Sequence, residues 1–204
     1  MLVINGKYSR RFTLIVIGLA LFILYMCWVA WRPKEVFWSL DEGGKFIYLQ
    51  NVLRTKDPRA PLEYLGRWVD PNLQFVPLYF WKRKGDSIFP WWPIGFPLIS
   101  LPFYQLLGWV GLYILPALGG ALTSMLSGML LQELNPSSRL LPFGAALITG
   151  LTTPIAFYST VFWEHTISTA LSVGLVLSVV LAIRRGNWKW LVVGGLAGAI
   201  AAFL

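Results

Sequence analysis

Two short acidic stretches in this 204-residue chain have residue types and spacing that could do chemistry. One is "WSLDEGGKF" (38–46), where Asp41 and Glu42 are adjacent. The other is "YSTVFWEHTIST" (158–169), where Glu164 precedes His165 between two apolar runs. From Ser87 to Leu204 the only acids are Glu133 and Glu164, so Glu164 is not one charge among many. Burial beside a low-dielectric surface disfavours an ionised carboxylate and moves it toward the range useful to a general base. A second polar site nearby could hold an acceptor hydroxyl or amine, or orient the first carboxylate. Carboxylate with imidazole also suits several divalent metals, so a metal site is one reading of the two pairs. The plainer reading makes Asp41 and Glu42 helix-start acids, with Ser39 or Asp41 as the cap. It likewise makes Glu164 a helix-start acid and His165 an interfacial histidine.

The elements that must position these groups are apolar helices. Charged residues make up 13% of the chain against roughly 25% in soluble domains. Hydrophobic residues reach 56%, with 11 Trp. The expected fold class is therefore an all-α polytopic membrane protein with about five transmembrane helices and a long outer loop carrying interfacial helices. The run 12–31 is long enough to cross roughly 30 Å of hydrocarbon. It exceeds a signal-peptide core and ends in Trp28, Trp31 and Arg32, so it reads as a retained first span. Residues 33–88 form the polar outer loop. The segment 89–108 holds Pro90, Pro93, Pro97 and Pro102 and reads as interfacial or re-entrant, with a short helix over 99–107. Further spans are expected over 109–131, 140–158 and 166–183. A fifth begins at 190–204 and is expected to be truncated. Cys27 is the single cysteine and cannot form an internal disulfide.

Basic residues in short loops favour the cytoplasm. Lys7, Arg10 and Arg11 place the N-terminus inside, in a cytoplasmic (inner) membrane. If 89–108 does not span, Arg139, Arg184, Arg185 and Lys189 are also cytoplasmic. Glu164 and His165 then share the outer face with the 33–88 loop. The net charge of +8 suits anionic lipid or phosphate. Its basic residues flank apolar segments rather than clustering, which argues against nucleic acid.

A first span followed by "LDEGGKF" at the start of a long outer loop resembles the GT-C superfamily of polytopic membrane glycosyltransferases. Protein O-mannosyltransferases and the aminoarabinose transferase of lipid A are of this kind. The proline-rich aromatic segment "FPWWPIGFPLISLPFYQLLG" and the later "PIAFYSTVFWEHTISTAL" are similar in placement to family segments. The resemblance implies sugar transfer, with inversion, from a polyprenyl-phosphate donor to a hydroxyl of a glycan, lipid or protein at the outer face. It implies Asp41 as catalytic base, Glu42 in support, and Glu164 placing the acceptor or base. Lys45 and Arg67, with Arg54, Lys82, Arg83 and Lys84, are candidates for the donor phosphate, and His165 for substrate binding without a secure family counterpart. Gly44 stands where some members carry Arg, and members have more helices than this chain. The alternatives are a transporter half, disfavoured because the spans hold only Ser, Thr and Gly as polar residues, and a non-catalytic accessory protein. For the latter, "GGALTSMLSG" (119–128) and "GGLAGA" (194–199) would serve helix packing.

Overall fold

The computed structural model describes residues 6–34, 36–76 and 81–204, with side chains from residue 9 onward; the Lys7 side chain lies outside the described set. The fold is mostly helical. Helix α1 (Gly6–Trp31) is the first apolar rod. Helix α2 (Leu40–Thr55) follows, then a 3₁₀ turn, Leu65–Trp68. Two short strands come next, β1 (Trp81–Lys84) and β2 (Ser87–Pro90). They precede α3 (Gly95–Leu107), a 3₁₀ segment Gly108–Tyr113, and α4 (Ile114–Leu134). The chain finishes with α5 (Leu141–Thr152), α6 (Pro154–Tyr158), α7 (His165–Arg185) and α8 (Lys189–Phe203).

Among the described residues, three helical stretches are long and apolar enough to cross a membrane: Ser9–Trp31, Gly95–Leu134 and His165–Arg185. The expected span over 140–158 is not one helix. Pro154 disfavours a helical conformation at the residue before it. Thr153 is accordingly extended (φ −99°, ψ 169°), ends α5 after 12 residues, and caps α6 by accepting from Ile155 N at 3.2 Å. Helix α8, at 15 residues, is also shorter than a crossing.

Helix α3 starts earlier than the expected 99. Pro97 sits in its first turn, where a missing N–H costs nothing. The chain then folds back at Gly108 (φ +61°): a Cβ on Gly111 would lie 2.1 Å from the Phe103 carbonyl oxygen. Such closeness over eight residues is foreign to a straight helix, whose rise is about 1.5 Å per residue. Both ends of α3 touch one end of the bundle. Phe96 packs on Phe162 with ring centroids 5.1 Å apart, and Tyr104 packs edge-on against Phe46 at 5.6 Å. Helix α3 therefore lies across that end, and within Gly95–Leu134 only α4 runs along the bundle.

The expectation of an all-α fold needs one correction. "WKRKGDSIFP" forms an antiparallel hairpin, with Trp81 opposite Pro90 and Lys84 opposite Ser87. Gly85 takes φ +61° at the reversal, which a residue without Cβ adopts freely. Ile88 is buried, and Leu62 N donates to its carbonyl at 2.8 Å.

Small residues let the long helices close up. A Cβ on Gly119 of α4 would lie 2.5 Å from Ile167 N in α7, and one on Gly128 would lie 2.7 Å from Pro142 O. Thr123 Oγ1 donates to Thr166 O at 3.2 Å and Thr166 Oγ1 to Pro116 O at 2.8 Å, so α4 and α7 also share hydrogen bonds.

The two ends of the bundle differ. At one, Arg10 donates to the carbonyls of Pro136 (3.1 Å) and Ser138 (3.2 Å), and Glu133 meets Arg11 (2.7 Å) and Arg185 (3.6 Å). The start of α1, the 135–140 turn and the end of α7 thus lie together. At the other end, α2 sits between two cores. Leu49 joins Val29, Phe96, Leu112, Tyr113 and Phe162. Tyr48 and Val52 join Leu62, Leu73, Val76 and Ile88.

Candidate functional site

The site is built on the first turn of α2 and the entry to α7. Ser39 is the N-cap of α2 and accepts from Glu42 N at 3.4 Å. Glu42 returns the bond: its Oε2 accepts from Ser39 N at 3.2 Å and from Trp38 N at 2.6 Å. This reciprocal box satisfies helix-start donors that have no intrahelical partner. The other oxygen, Oε1, accepts from Phe162 N at 2.8 Å, and Glu42 is fully buried. Glu42 is thus occupied by three backbone donors and joins α2 to the turn before α7.

Lys45, three residues on, is 2% exposed. Its Nζ lies 2.5 Å from Glu164 Oε2 and about 6 Å above the rings of Trp163 and Phe96. Glu164 is the residue preceding α7 but makes no side-chain cap bond; its carboxylate is turned to Lys45 instead. Asp41 stands four residues before Lys45, hence on the same helix face. It is half-buried and has no hydrogen-bond or ion-pair partner among the described residues. Gly44 admits the aromatic wall: a Cβ there would lie 2.6 Å from the Trp92 ring, which packs on Trp81 at 4.9 Å. A groove of about 570 Å³ runs beside this turn, lined by Phe37, Trp38, Leu40, Gly43, Gly44 and Trp81.

The remaining expectations divide. His165 is exposed and held between rings, 4.8 Å from Trp163 and 5.1 Å from Tyr158. Arg67 is not gathered with Lys45. It is exposed and donates to the Asp86 carbonyl at the hairpin turn. Among the described residues no three His, Cys, Asp or Glu side chains form a group that could hold a metal ion.

Arg32 is a site residue that sequence reasoning treated only as an interfacial anchor. Its guanidinium lies 4.0 Å above the Tyr113 ring and donates from Nη1 to Thr160 O at 2.5 Å. Its Nε and Nη2 are buried without a partner, as are Tyr113 Oη, Trp92 Nε1 and Trp163 Nε1. An arginine closing a span has no sequence signal that separates an anchor from a site residue. At this end the structure therefore offers one free carboxylate, one buried ion pair and several unused donors. No protein-family model, curated protein or solved structure matches the chain.

Proposed function

We propose that the chain is a glycosyltransferase of the GT-C kind, using a polyprenyl-phosphate-linked sugar. The observation that carries this reading is the free Asp41 carboxylate on a helix turn fixed by Glu42, with the Lys45–Glu164 pair on the same face. Asp41 takes the proton of the acceptor hydroxyl. The acceptor oxygen attacks the anomeric carbon, the bond from that carbon to the phosphate oxygen breaks, and polyprenyl phosphate leaves with the bonding electrons. Configuration inverts because attack and departure are on opposite faces. Unused donors on Arg32, Tyr113, Trp92 and Trp163 suit phosphate and sugar oxygens, which are acceptors. Glu164 holds Lys45 in place, and the acceptor is a hydroxyl of a glycan, lipid or protein. The end bearing Asp41 faces outward in the cytoplasmic membrane, with Arg10, Arg11, Arg184 and Arg185 inside.

The test is sugar transfer by membranes containing the full chain, supplied with labelled polyprenyl-phosphate sugars. Transfer that Asp41→Asn abolishes supports the reading. Transfer equal in both proteins, or absent from both, overturns it. One arrangement favours a second reading as a non-catalytic accessory protein: Glu42 and Glu164 both serve as ties between elements. On that reading Asp41→Asn leaves the cell phenotype unchanged, whereas Glu42→Ala, which loosens the fold, does not.

A further inference from the structure

We infer that the loop 64–75 and the hairpin beside it form a docking surface for the headgroup region of an anionic bilayer. This goes beyond sugar transfer and does not depend on it.

The loop is wound around a buried acid. Asp70 is 2% exposed; its Oδ1 accepts from Gln74 N at 2.7 Å, its Oδ2 from Phe75 N at 2.8 Å and from Tyr64 Oη at 3.2 Å. Leu73 N donates to the Asp70 carbonyl at 3.2 Å. Gly66 lets Tyr64 fold back, since a Cβ there would lie 2.8 Å from its ring. Leu73 adopts φ +58°, an unfavourable conformation for a branched side chain, and is buried at 3% exposure. The loop thus holds itself rigidly while sending Leu73 inward.

What it sends outward is apolar. Leu65 is 79% exposed, Trp68 85%, Val69 60% and Phe75 78%. Leu65 and Trp68 are three apart in a 3₁₀ turn, where such side chains eclipse on one face. Rigid display of large apolar side chains to solvent marks an interaction surface.

Charge selects the occupant. Arg67 lies within the turn, and Arg83 Nη1 donates to Asn72 O at 2.8 Å, fastening the hairpin to the loop. Lys82 and Lys84 project from one face of β1, exposed and unpartnered among the described residues. The basic residues outnumber the acids here: Glu63 pairs with Arg54, Asp70 is enclosed, and only Asp86, exposed and 3.9 Å from Arg83, stands against Arg67, Lys82, Arg83 and Lys84. Trp with Leu, Val and Phe beside uncompensated Lys and Arg is the chemistry of the anionic interface. The loop is also tethered between α1 and α4, which keeps a bilayer surface within its reach.

The experiment uses the full chain in nanodiscs, with a nitroxide on Val69→Cys in a Cys27→Ser background. Collision with oxygen reports lipid contact, and collision with a water-soluble nickel chelate reports water. In phosphatidylglycerol-containing discs the label is expected to gain oxygen collisions and lose nickel collisions relative to pure phosphatidylcholine. Lys82→Gln with Lys84→Gln, which breaks no bond in the structure, shifts the docked-to-free ratio back, about fivefold per cation removed. High salt does the same. Equal water exposure in both discs overturns the inference. Equal docking in both overturns the assignment to anionic lipid. Protection from both reagents, whatever the lipid, overturns it in favour of a protein partner.

Discussion

Lys45 Nζ and Glu164 Oε2 lie 2.5 Å apart across 119 residues of sequence. The pair holds α2 against the entry to α7. Removing one partner strands the other charge, the costly way to break a buried pair. Lys45→Met or Glu164→Gln alone is expected to cost about 2–4 kcal/mol, about 1 kcal/mol under the range for a fully buried pair because Glu164 keeps 18% of its side chain exposed. The double variant should cost less than the sum of the singles. Chemical denaturation of the four proteins in detergent measures the coupling, and additive losses would show that the pair contributes nothing to holding α2 and α7.

Asp41 and Glu42 are neighbours with opposite expected phenotypes. Asp41→Asn should shift the melting temperature by no more than about 4 °C, because the carboxylate has no bond to lose and forfeits only its first-turn interaction with the α2 dipole, and lower transfer by about a hundredfold or more. Glu42→Ala should lower stability by about 3 kcal/mol or more, removing acceptors from three backbone donors, one of them 120 residues away. Thermal melts set beside transfer rates separate the two. Reversed phenotypes would exchange the roles of the two acids.

The loop that carries Trp68 should open in acid. Burial alone would raise the Asp70 carboxyl, but the Phe75 and Gln74 N–H groups, the Tyr64 hydroxyl and the Arg83 charge outweigh it and hold it below the ordinary carboxylate range. A folded-state value below the unfolded one contributes stability above the unfolded pKa and loses it as pH falls through the folded pKa. Amide exchange in 73–75 should therefore be protected near neutrality and lose protection at and below about pH 4. Asp70→Asn should open the loop at every pH. Protection unchanged down to pH 3 would exclude Asp70 as its organiser.

Gly119→Ala tests the closeness of α4 and α7. The added carbon meets backbone atoms of Ile167 and Thr166 inside 3 Å, which no rotamer can relieve. A loss of about 2 kcal/mol is expected, against under 0.5 for Gly174→Ala, whose nearest neighbour lies 3.8 Å away. Equal losses would mean the helices separate to accept the methyl.

Much of this was legible locally. Apolar runs gave α1, α4 and α7, and Pro154 marks the break that a longer span over 140–158 had ignored. The box Ser39–Glu42 is written in four consecutive residues, "SLDE", and only the second use of Glu42, at Phe162, needs tertiary structure. The partner of Lys45, the stacking of Arg32 on Tyr113 and the return of the 108–113 segment onto Phe103 are long-range or packing events that no local period encodes. The hairpin was hidden because three consecutive cations, Lys82 to Lys84, leave its first strand without an apolar alternation; Trp81 and Ile88, one on each strand, are what anchor it.

The reach of Glu42 also sets a schedule. A ribosome adding roughly 5–20 residues per second needs about 6–24 s to go from Glu42 to Phe162. Through that interval α2 has its own cap but not its partner, and Lys45 has no counter-ion from α7. The local box keeps the first turn wound while it waits, so the late arrival of α7 closes a half-made site rather than having to organise one.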